Sequence, residues 1–553
     1  KLLELALPPR DNPARFALRW SPNAEIPAAE WFGGATTKTI TTTWTDLKRA
    51  GPRRWTKPIV TKGSRAKDDQ PYVVDTLTLP FDNPYRALFF PGGLDFFSNG
   101  DIAIATVHGD VWRVQGVDET LERLTWTRLA TGLFQPLGLK IVDGEVHVLG
   151  RDQITRLRDT NGDGEADEYE NVFNGSFTSA GGHDYVAGLE TDRQGNFYLV
   201  HATQGVVKID PRADKLEVVA TGLRNPMGLS VGPDDTITAA PQEGEWTPAS
   251  NIIQVKAGGH YGYRGPQVTA ARPRGYDLPL CWIPRMTDNS SGGQIWVTSD
   301  RWGPLQGQLL HCSFGKCRLM LVLRESVDAP ANHPEPSLTQ GGVVGFPLEF
   351  DSGLMRGRFS PVDGQLYVTG LKGWVSSAVQ DGCLQRVRYT GLPVDMPVAV
   401  RSHQNGLAIT FSRELDLDSA EDPDNYSLEA WNYRYAADYG SPDLKLSDPL
   451  IEGHDEIEVR SATLLDDRKT VFLEIPGLQP ANQVKIGYQV ATRDGRAVHD
   501  TLHYTLHSLA HEAIDAARLH RRVRPGQLAE ESEARLRPGV HVNFHQLNRE
   551  RDI

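Results

Sequence analysis

The stretch RNPMGLSVGPDDTITAAPQEGEW, residues 224–246, is one unit of a pattern that recurs along the chain. A short apolar strand meets a Gly or Asp turn, a second apolar strand follows, and a polar loop leads to a third. The same reading starts at Pro91 (PGGLDFFSNGDIAIATVHGDVWRV), Gln135 (QPLGLKIVDGEVHVLGRDQITRL) and His183 (HDYVAGLETDRQGNFYLVHATQGVVKI). It starts again at Asp288 (DNSSGGQIWVTSDRWGPLQGQLLHCSF) and Asp351 (DSGLMRGRFSPVDGQLYVTGLKGW). Each copy alternates with period two and is rich in β-branched residues between turn formers, which is the signature of strands. A small-residue motif precedes every second strand. Six strand clusters at such intervals predict an all-β, six-bladed β-propeller over residues 85–392, one four-stranded blade per cluster.

The flanks read differently. Residues 1–84 are irregular and Pro-rich, with the Thr run TTKTITTTWTDL, and are expected to pack on the propeller as an extension. After Pro393, segments such as VAVRSHQNGLAITF and KTVFLEIPGLQPANQVKIGYQV are strand pairs with polar outer faces. They suit one immunoglobulin-like β-sandwich over residues 393–510. A short helical pattern and a polar tail are expected over 511–553.

Composition narrows the function classes. The formal net charge is -13, which argues against nucleic acid as a partner. The sequence has no apolar run long enough for a transmembrane segment. Its four cysteines, Cys281, Cys312, Cys317 and Cys383, form no CxxC or CxxCH motif, so covalent haem is excluded. Two disulfides and four buried thiols are both compatible with that count. The chain starts at Lys1, so a trimmed or processed N-terminus is expected.

The segment DTNGDGEADEYE places Asp159, Asn161, Asp163, Glu165, Asp167 and Glu170 at the spacing of a calcium loop, with Gly164 at the sharp turn. Its flanks read as strands, not helices. The expectation is a structural calcium ion bracing a hairpin of the second blade, remote from catalysis; a solvated acidic turn is the alternative.

Propeller pockets form where loops converge over the axis. The loops after each second strand contribute His108, Arg151, His201, Gln242 with Glu243, Asp300 with Arg301, and Lys372. The segments leading into each first strand add Gln135, His183 with Asp184, Arg224 with Asn225, and Asp288 with Asn289. Any one of these suits a solvated loop, but the set is a polar ring about one axis and points to a ligand. Its cations favour a ligand with carboxylates, because guanidinium forks onto carboxylate oxygens.

The motifs GLRNPMGL (222–229), APQEGEW (240–246) and GGHYGY (258–263) resemble those of the six-bladed soluble sugar dehydrogenases that use pyrroloquinoline quinone, and of the related sorbosone-dehydrogenase-like propellers. The resemblance covers about residues 85–391. It implies a quinone-dependent oxidoreductase acting on a sugar or alcohol, secreted or periplasmic, with a separate electron acceptor. By that resemblance His183 is the general base, Arg224, Asn225 and Gln242 contact the quinone, and Lys372 grips it. Three positions depart from the pattern. Gly182 replaces an acidic residue before the His, and Glu243-Gly244 stands where a Gly-Pro pair would hold calcium. Arg386 and Arg388 are candidates for a late arginine pair. A carbohydrate lyase or hydrolase using His183, His108, His201 and Glu245, and a non-catalytic glycan- or partner-binding propeller, are the competing readings.

Overall fold

The computed structural model describes residues 50–176, 178–179, 183–265, 275–329, 333, 335–373, 375–515, 517 and 519. Most of the N-terminal extension and the tail expected beyond residue 519 lie outside the described residues. The described architecture belongs to one compact unit that begins at Pro52.

Six antiparallel sheets carry the repeat. The first blade runs Pro91–Phe96, Ile102–Thr106, Val111–Gln115 and Leu124–Ala130. The second runs Gly138–Val142, Glu145–Leu149, Ile154–Arg158 and Glu168–Phe173. The third runs Ala187–Thr191, Phe197–His201, Gly205–Asp210 and Lys215–Thr221, and the fourth Gly228–Val231, Ile237–Ala240, Ser250–Gln254 and Cys281–Ile283. The fifth starts Ser291–Trp296, Leu309–Ser313, Arg318–Asp328, Ser337–Gly345, and the sixth Gly353–Phe359, Leu366–Leu371, Gly382–Tyr389. The first strands touch one another in cyclic order, so the sheets close a ring. Second strands such as Ile102–Thr106 and Leu309–Ser313 are buried along their whole length, whereas Glu168–Phe173 is mostly exposed. That gradient explains why the inner strands read as apolar runs and the outer ones as polar.

The small-residue motif has a steric cause. A Cβ on Gly93 would stand 2.8 Å from the Leu139 amide nitrogen, and one on Gly138 would stand 2.9 Å from that of Leu189. Gly228 would meet the Gly292 carbonyl oxygen at 2.3 Å, and Gly292 would meet that of Leu354 at 2.2 Å. Four inner strands thus abut the backbone of the next blade at a residue without a side chain. Gly188, at φ +68, adds a backbone requirement to the same contact.

The ring closes with a strand from upstream of the repeat. Tyr72–Thr76 is the outer strand of the sixth blade, antiparallel to Gly382–Tyr389, and Ile59–Thr61 adds a fifth strand to the first blade. The extension expected to pack on the propeller is therefore in part woven into it. Asp75 is buried and bonded by Arg386 Nε at 2.8 Å and Arg388 Nε at 2.9 Å. The two arginines read as candidates for a late arginine pair hold this closure. Removing one partner of such a buried pair leaves the other charge desolvated, at a cost of about 3–5 kcal/mol.

After Pro393 two sheets face each other. One orders Pro397–His403, Gly406–Phe411, Thr470–Glu474 and Ser461–Leu464; the other contains Tyr426–Asn432, Ala481–Ala491 and Ala497–Leu506. Leu407, Ile409 and Leu473 share one core with Leu428, Ile486 and Leu502. This sandwich is not a bead on a string. Ala497–Leu506 pairs antiparallel with Ser337–Gly345, so the fifth blade and one sheet of the sandwich are continuous. Beneath the seam the buried Glu325 carboxylate accepts bonds from Gln340 Nε2 (2.7 Å), the Ser402 amide (3.0 Å) and the Tyr504 hydroxyl.

All four cysteines are free and buried. Burial pushes the Cys281 and Cys312 thiols up to about 12 and Cys317 to about 11, so they pack as small apolar groups. Among the described residues no helix is long and apolar enough to cross a membrane.

The glycine contacts give a direct test. Gly228→Ala should lower stability by about 1–3 kcal/mol, the usual cost of overpacking. Gly477→Ala, where a Cβ meets nothing within 4 Å, should leave it nearly unchanged. Equal melting temperatures for the two variants would contradict the close approach of the inner strands.

Candidate functional site

A cavity of about 350 Å³ opens at the mouth beside the third and fourth blades, lined by His183, Asp184, Arg224, Glu245, Trp246, Tyr263 and Arg264 among others. Its size suits a small ligand. Arg224 lies just before the first strand of the fourth blade, and Glu245 lies in the loop after the second. Arg224 Nε donates to Glu245 Oε2 at 2.8 Å, and Nη1 donates to the Glu243 carbonyl at 2.7 Å. A Cβ on Gly244, at φ +158, would fall 1.9 Å from Arg224 Nε, so the loop can follow this path only with glycine there. Burial pushes the Glu245 carboxyl up, but the Arg224 hydrogen bond, with the charges of Arg224 and His183, outweighs it and holds the group below the usual carboxylate range. Glu245 is therefore an anion at neutral pH, within the electrostatic reach of the exposed His183.

The sandwich supplies a further wall. Its segment between Asn432 and Leu444 returns to the propeller mouth and pairs with the 244–248 loop. The Trp246 amide donates to the Ala436 carbonyl at 2.9 Å, Gly440 to Gly244 at 3.2 Å, and Ser441 to Pro248 at 2.9 Å. Tyr439 covers the Arg224 guanidinium at 4.9 Å, and the Tyr435 ring lies 5.1 Å from Trp246. Ala437 reaches the cavity itself. None of these sandwich residues stood among the sequence candidates. The only local signal was the aromatic density of WNYRYAADYGSPD, which nothing nearby in sequence explains.

The rest of the candidate ring divides by topology. Asn225 and Gln242 do not line the cavity; the two buried amides bond each other at 2.8 Å, and Gln242 also donates to the Ser291 carbonyl at 3.3 Å. Glu243 is buried, 3.5 Å from Arg285, and burial raises its carboxyl. Lys372 is exposed on the sixth blade, outside the cavity lining. Asn225, Gln242 and Lys372 thus lie outside the cavity lining to which Arg224 belongs.

His201 and Asp288 belong to buried brackets. Asp288 accepts from His311 Nε2 at 2.7 Å and Ser313 Oγ at 2.6 Å, tying the first strand of the fifth blade to its second. In the third blade Asp184 accepts from Thr203 and the Ser179 amide, with His201 Nδ1 3.7 Å away. Burial opposes ionisation of Asp184, yet the side chains of His201 and Thr203 and the Ser179 amide hold it well below the usual range. Asn289 lies beside the sixth-blade loop, its amide 3.5 Å from the Val375 carbonyl. His108 rests on Phe90, with ring centroids 5.1 Å apart. Arg151 bridges Gln135 and the Ser179 carbonyl near the cavity. Arg301, with Asp300, falls between the first and second strands of its blade, at the opposite end of the ring. There it donates to the Val362 carbonyl at 2.8 Å.

The acidic loop 159–170 closes on protein donors. Asp159 accepts from the amides of Gly162 and Gly164, both at 2.8 Å, and Asp167 accepts from the Thr160 amide at 2.9 Å. Asn161 donates to Asp163 at 3.1 Å. Glu165 turns inward to Arg54 and Glu170 pairs with Arg156. Among the described residues no group of three or more His, Cys, Asp or Glu is arranged to hold a metal ion. Glu165 anchors the Arg54–Trp55 segment to the second blade.

No family model matches the chain, and no curated protein matches it in sequence. Solved structures do match. A candidate oxidoreductase (glucose dehydrogenase) from Thermus thermophilus is 18% identical, with 54% of this chain and 97% of that one covered and a TM-score of 0.41. A luciferin-regenerating enzyme is 14% identical over 62% of this chain and 99% of its own, at a TM-score of 0.36. A candidate 6-phosphogluconolactonase from Bacteroides fragilis is 12% identical over 50% and 76%, at 0.30. Likenesses this distant say nothing of activity; the fold rests on the chain's own strand pairing.

The wall segment is anchored at its far end by a titratable pair. His454 stacks on Trp431 at 3.9 Å and bonds Glu429 at 2.7 Å and Asp443 at 2.9 Å, with Lys485 and His503 as the neighbouring basic groups. Burial lowers its pKa, but the two carboxylates outweigh that and raise it above 6.5. A raised folded-state pKa gives stability that is complete below about pH 6.5 and is lost as pH rises through the folded value. The melting temperature of the wild type minus that of His454→Gln should therefore shrink from weakly acidic to alkaline pH. A difference independent of pH would contradict this anchor.

Proposed function

We propose that the cavity is the active site of a carbohydrate-processing enzyme and that His183 is its general base. The observation that carries this reading is His183 beside the Arg224-fixed Glu245 in one cavity of sugar size. An imidazole can accept a proton near neutral pH, and a neighbouring carboxylate stabilises the imidazolium that results. Arg224 fixes the carboxylate, and Tyr439 fixes Arg224. Trp246 and Tyr263 offer apolar faces with polar edges, the surfaces against which sugar rings stack.

Proton removal by His183 is common to two reactions, the oxidation of a sugar hydroxyl and the elimination across a uronate. In oxidation the hydroxyl proton passes to the imidazole as hydride leaves the same carbon for an acceptor, which the sugar-dehydrogenase resemblance identifies as a quinone. In this chain Asn225 and Gln242 bond each other outside the cavity lining, so this reading routes no step through a quinone.

Binding and turnover test the reading together. Aldoses and uronates should bind the purified protein, measured by calorimetry. Turnover should be detected either as dye reduction with added quinone and an aldose, or as ultraviolet-absorbing product from a uronate polymer. His183→Ala should lower turnover by about 10²–10⁴-fold, the usual range for a general base, and change affinity only a few-fold. A variant that keeps full turnover, or a wild type that binds neither sugar class, would contradict the assignment.

A further inference from the structure

We infer that the ligand of this cavity carries a single carboxylate and that Arg264 binds it, a deepening that rests on the carbohydrate reading above. Two arginines line the cavity, and their circumstances differ. Arg224 is tied to its own loop: Nε to Glu245, Nη1 to the Glu243 carbonyl, and its face under Tyr439. Arg264 has its guanidinium carbon 4.3 Å from the Trp246 ring centre and 5.8 Å from that of Tyr435, so its plane is held by aromatic rings. Its Nε is buried and has no hydrogen-bond partner among the described residues, and Arg264 forms no ion pair among them.

The nearby carboxylates are committed. Glu245 answers Arg224, and Asp184 is consumed by Thr203 and the Ser179 amide. Among the described residues, Arg264 is thus the arginine of the wall that no carboxylate engages in an ion pair. A guanidinium stacked by its face presents its N–H edge in the ring plane, and that edge matches a carboxylate through two parallel hydrogen bonds. A buried donor without a partner costs free energy that a ligand oxygen would recover. One such fork matches one carboxylate, as on a uronate or an aldonate.

The position of Arg264 follows from the fold. Within GGHYGY, Gly259–His260 pairs parallel with the third blade's outer strand, and the motif's last residue, Tyr263, leads directly to Arg264. The aromatic rings that orient it come from two places far apart in sequence, Trp246 of the propeller and Tyr435 of the sandwich. Selection for acidic ligands therefore depends on the sandwich segment being in place.

Calorimetry on matched pairs tests this: D-galacturonate against D-galactose, D-glucuronate against D-glucose, with D-galactose 6-phosphate as a third arm. The wild type should bind each acid at least tenfold tighter than its neutral partner. Arg264→Gln should bring the acids down to the neutral level while neutral affinity holds, with an unchanged circular dichroism spectrum confirming the fold. Arg264→Lys, which keeps charge but loses the fork, should fall between. Equal wild-type affinities within each pair, or a preference untouched by Arg264→Gln, would overturn the inference and leave the carbohydrate reading standing. Tighter binding of the phosphate would overturn the carboxylate assignment. Failure of every sugar, neutral and acidic, to bind would overturn the carbohydrate reading and this inference with it.

Discussion

The structure depends on how closely six inner strands approach around one axis. Gly93, Gly138, Gly228 and Gly292 each stand where a methyl group would strike the next blade's backbone at 2.2 to 2.9 Å. This constraint fixes more than packing. With the strands locked in register, the segments before each first strand and the loops after each second strand emerge at one end of the ring. His183, Arg224 and Glu245 meet there because of that geometry, although they come from two blades. The same register sends the loops between first and second strands to the other end, which is where Arg301 went.

The second organising fact is that the propeller's outer sheet does not stop at its fourth strand. Ser337–Gly345 continues into Ala497–Leu506, and the sandwich is held against the ring by backbone pairing instead of by a linker. Polar groups complete the seam, with the Thr505 hydroxyl accepting from the Trp282 amide at 2.8 Å and Glu325 satisfied from three sides. A rigid junction of this kind lets a loop from one module serve as wall to a cavity in the other. Tyr439 over Arg224 and Tyr435 beside Trp246 are its working ends.

Much of the fold was legible because its signal is local. Period-two alternation and the recurring glycine located all six blades, and each blade's first strand begins within four residues of where its copy of the pattern starts. What escaped was non-local. Tyr72–Thr76 pairs with residues more than 300 positions away, and nothing in its own sequence announces the partner. In the site the sequence supplied His183, Arg224 and Glu245 and missed Arg264, Trp246 and Tyr439. Residue type alone could not separate His201 and Asp288, buried in brackets between strands, from groups that face a ligand. Nor could it separate Asn225 and Gln242, which bond each other outside the cavity lining. The acidic loop shows the same limit: its spacing is that of a cation site, but Arg54 and Arg156 take two of its carboxylates, and both arginines lie outside the motif.

The central claim is that the propeller mouth and the sandwich segment form one site. Hydrogen exchange at the amides of Trp246, Gly440 and Ser441 measures it most directly, since these donate across the junction to Ala436, Gly244 and Pro248. The account predicts that they exchange slowly, in the manner of the neighbouring strands, and slow further when a sugar is bound. Exchange at the rate of an open loop while the blades stay protected would contradict it.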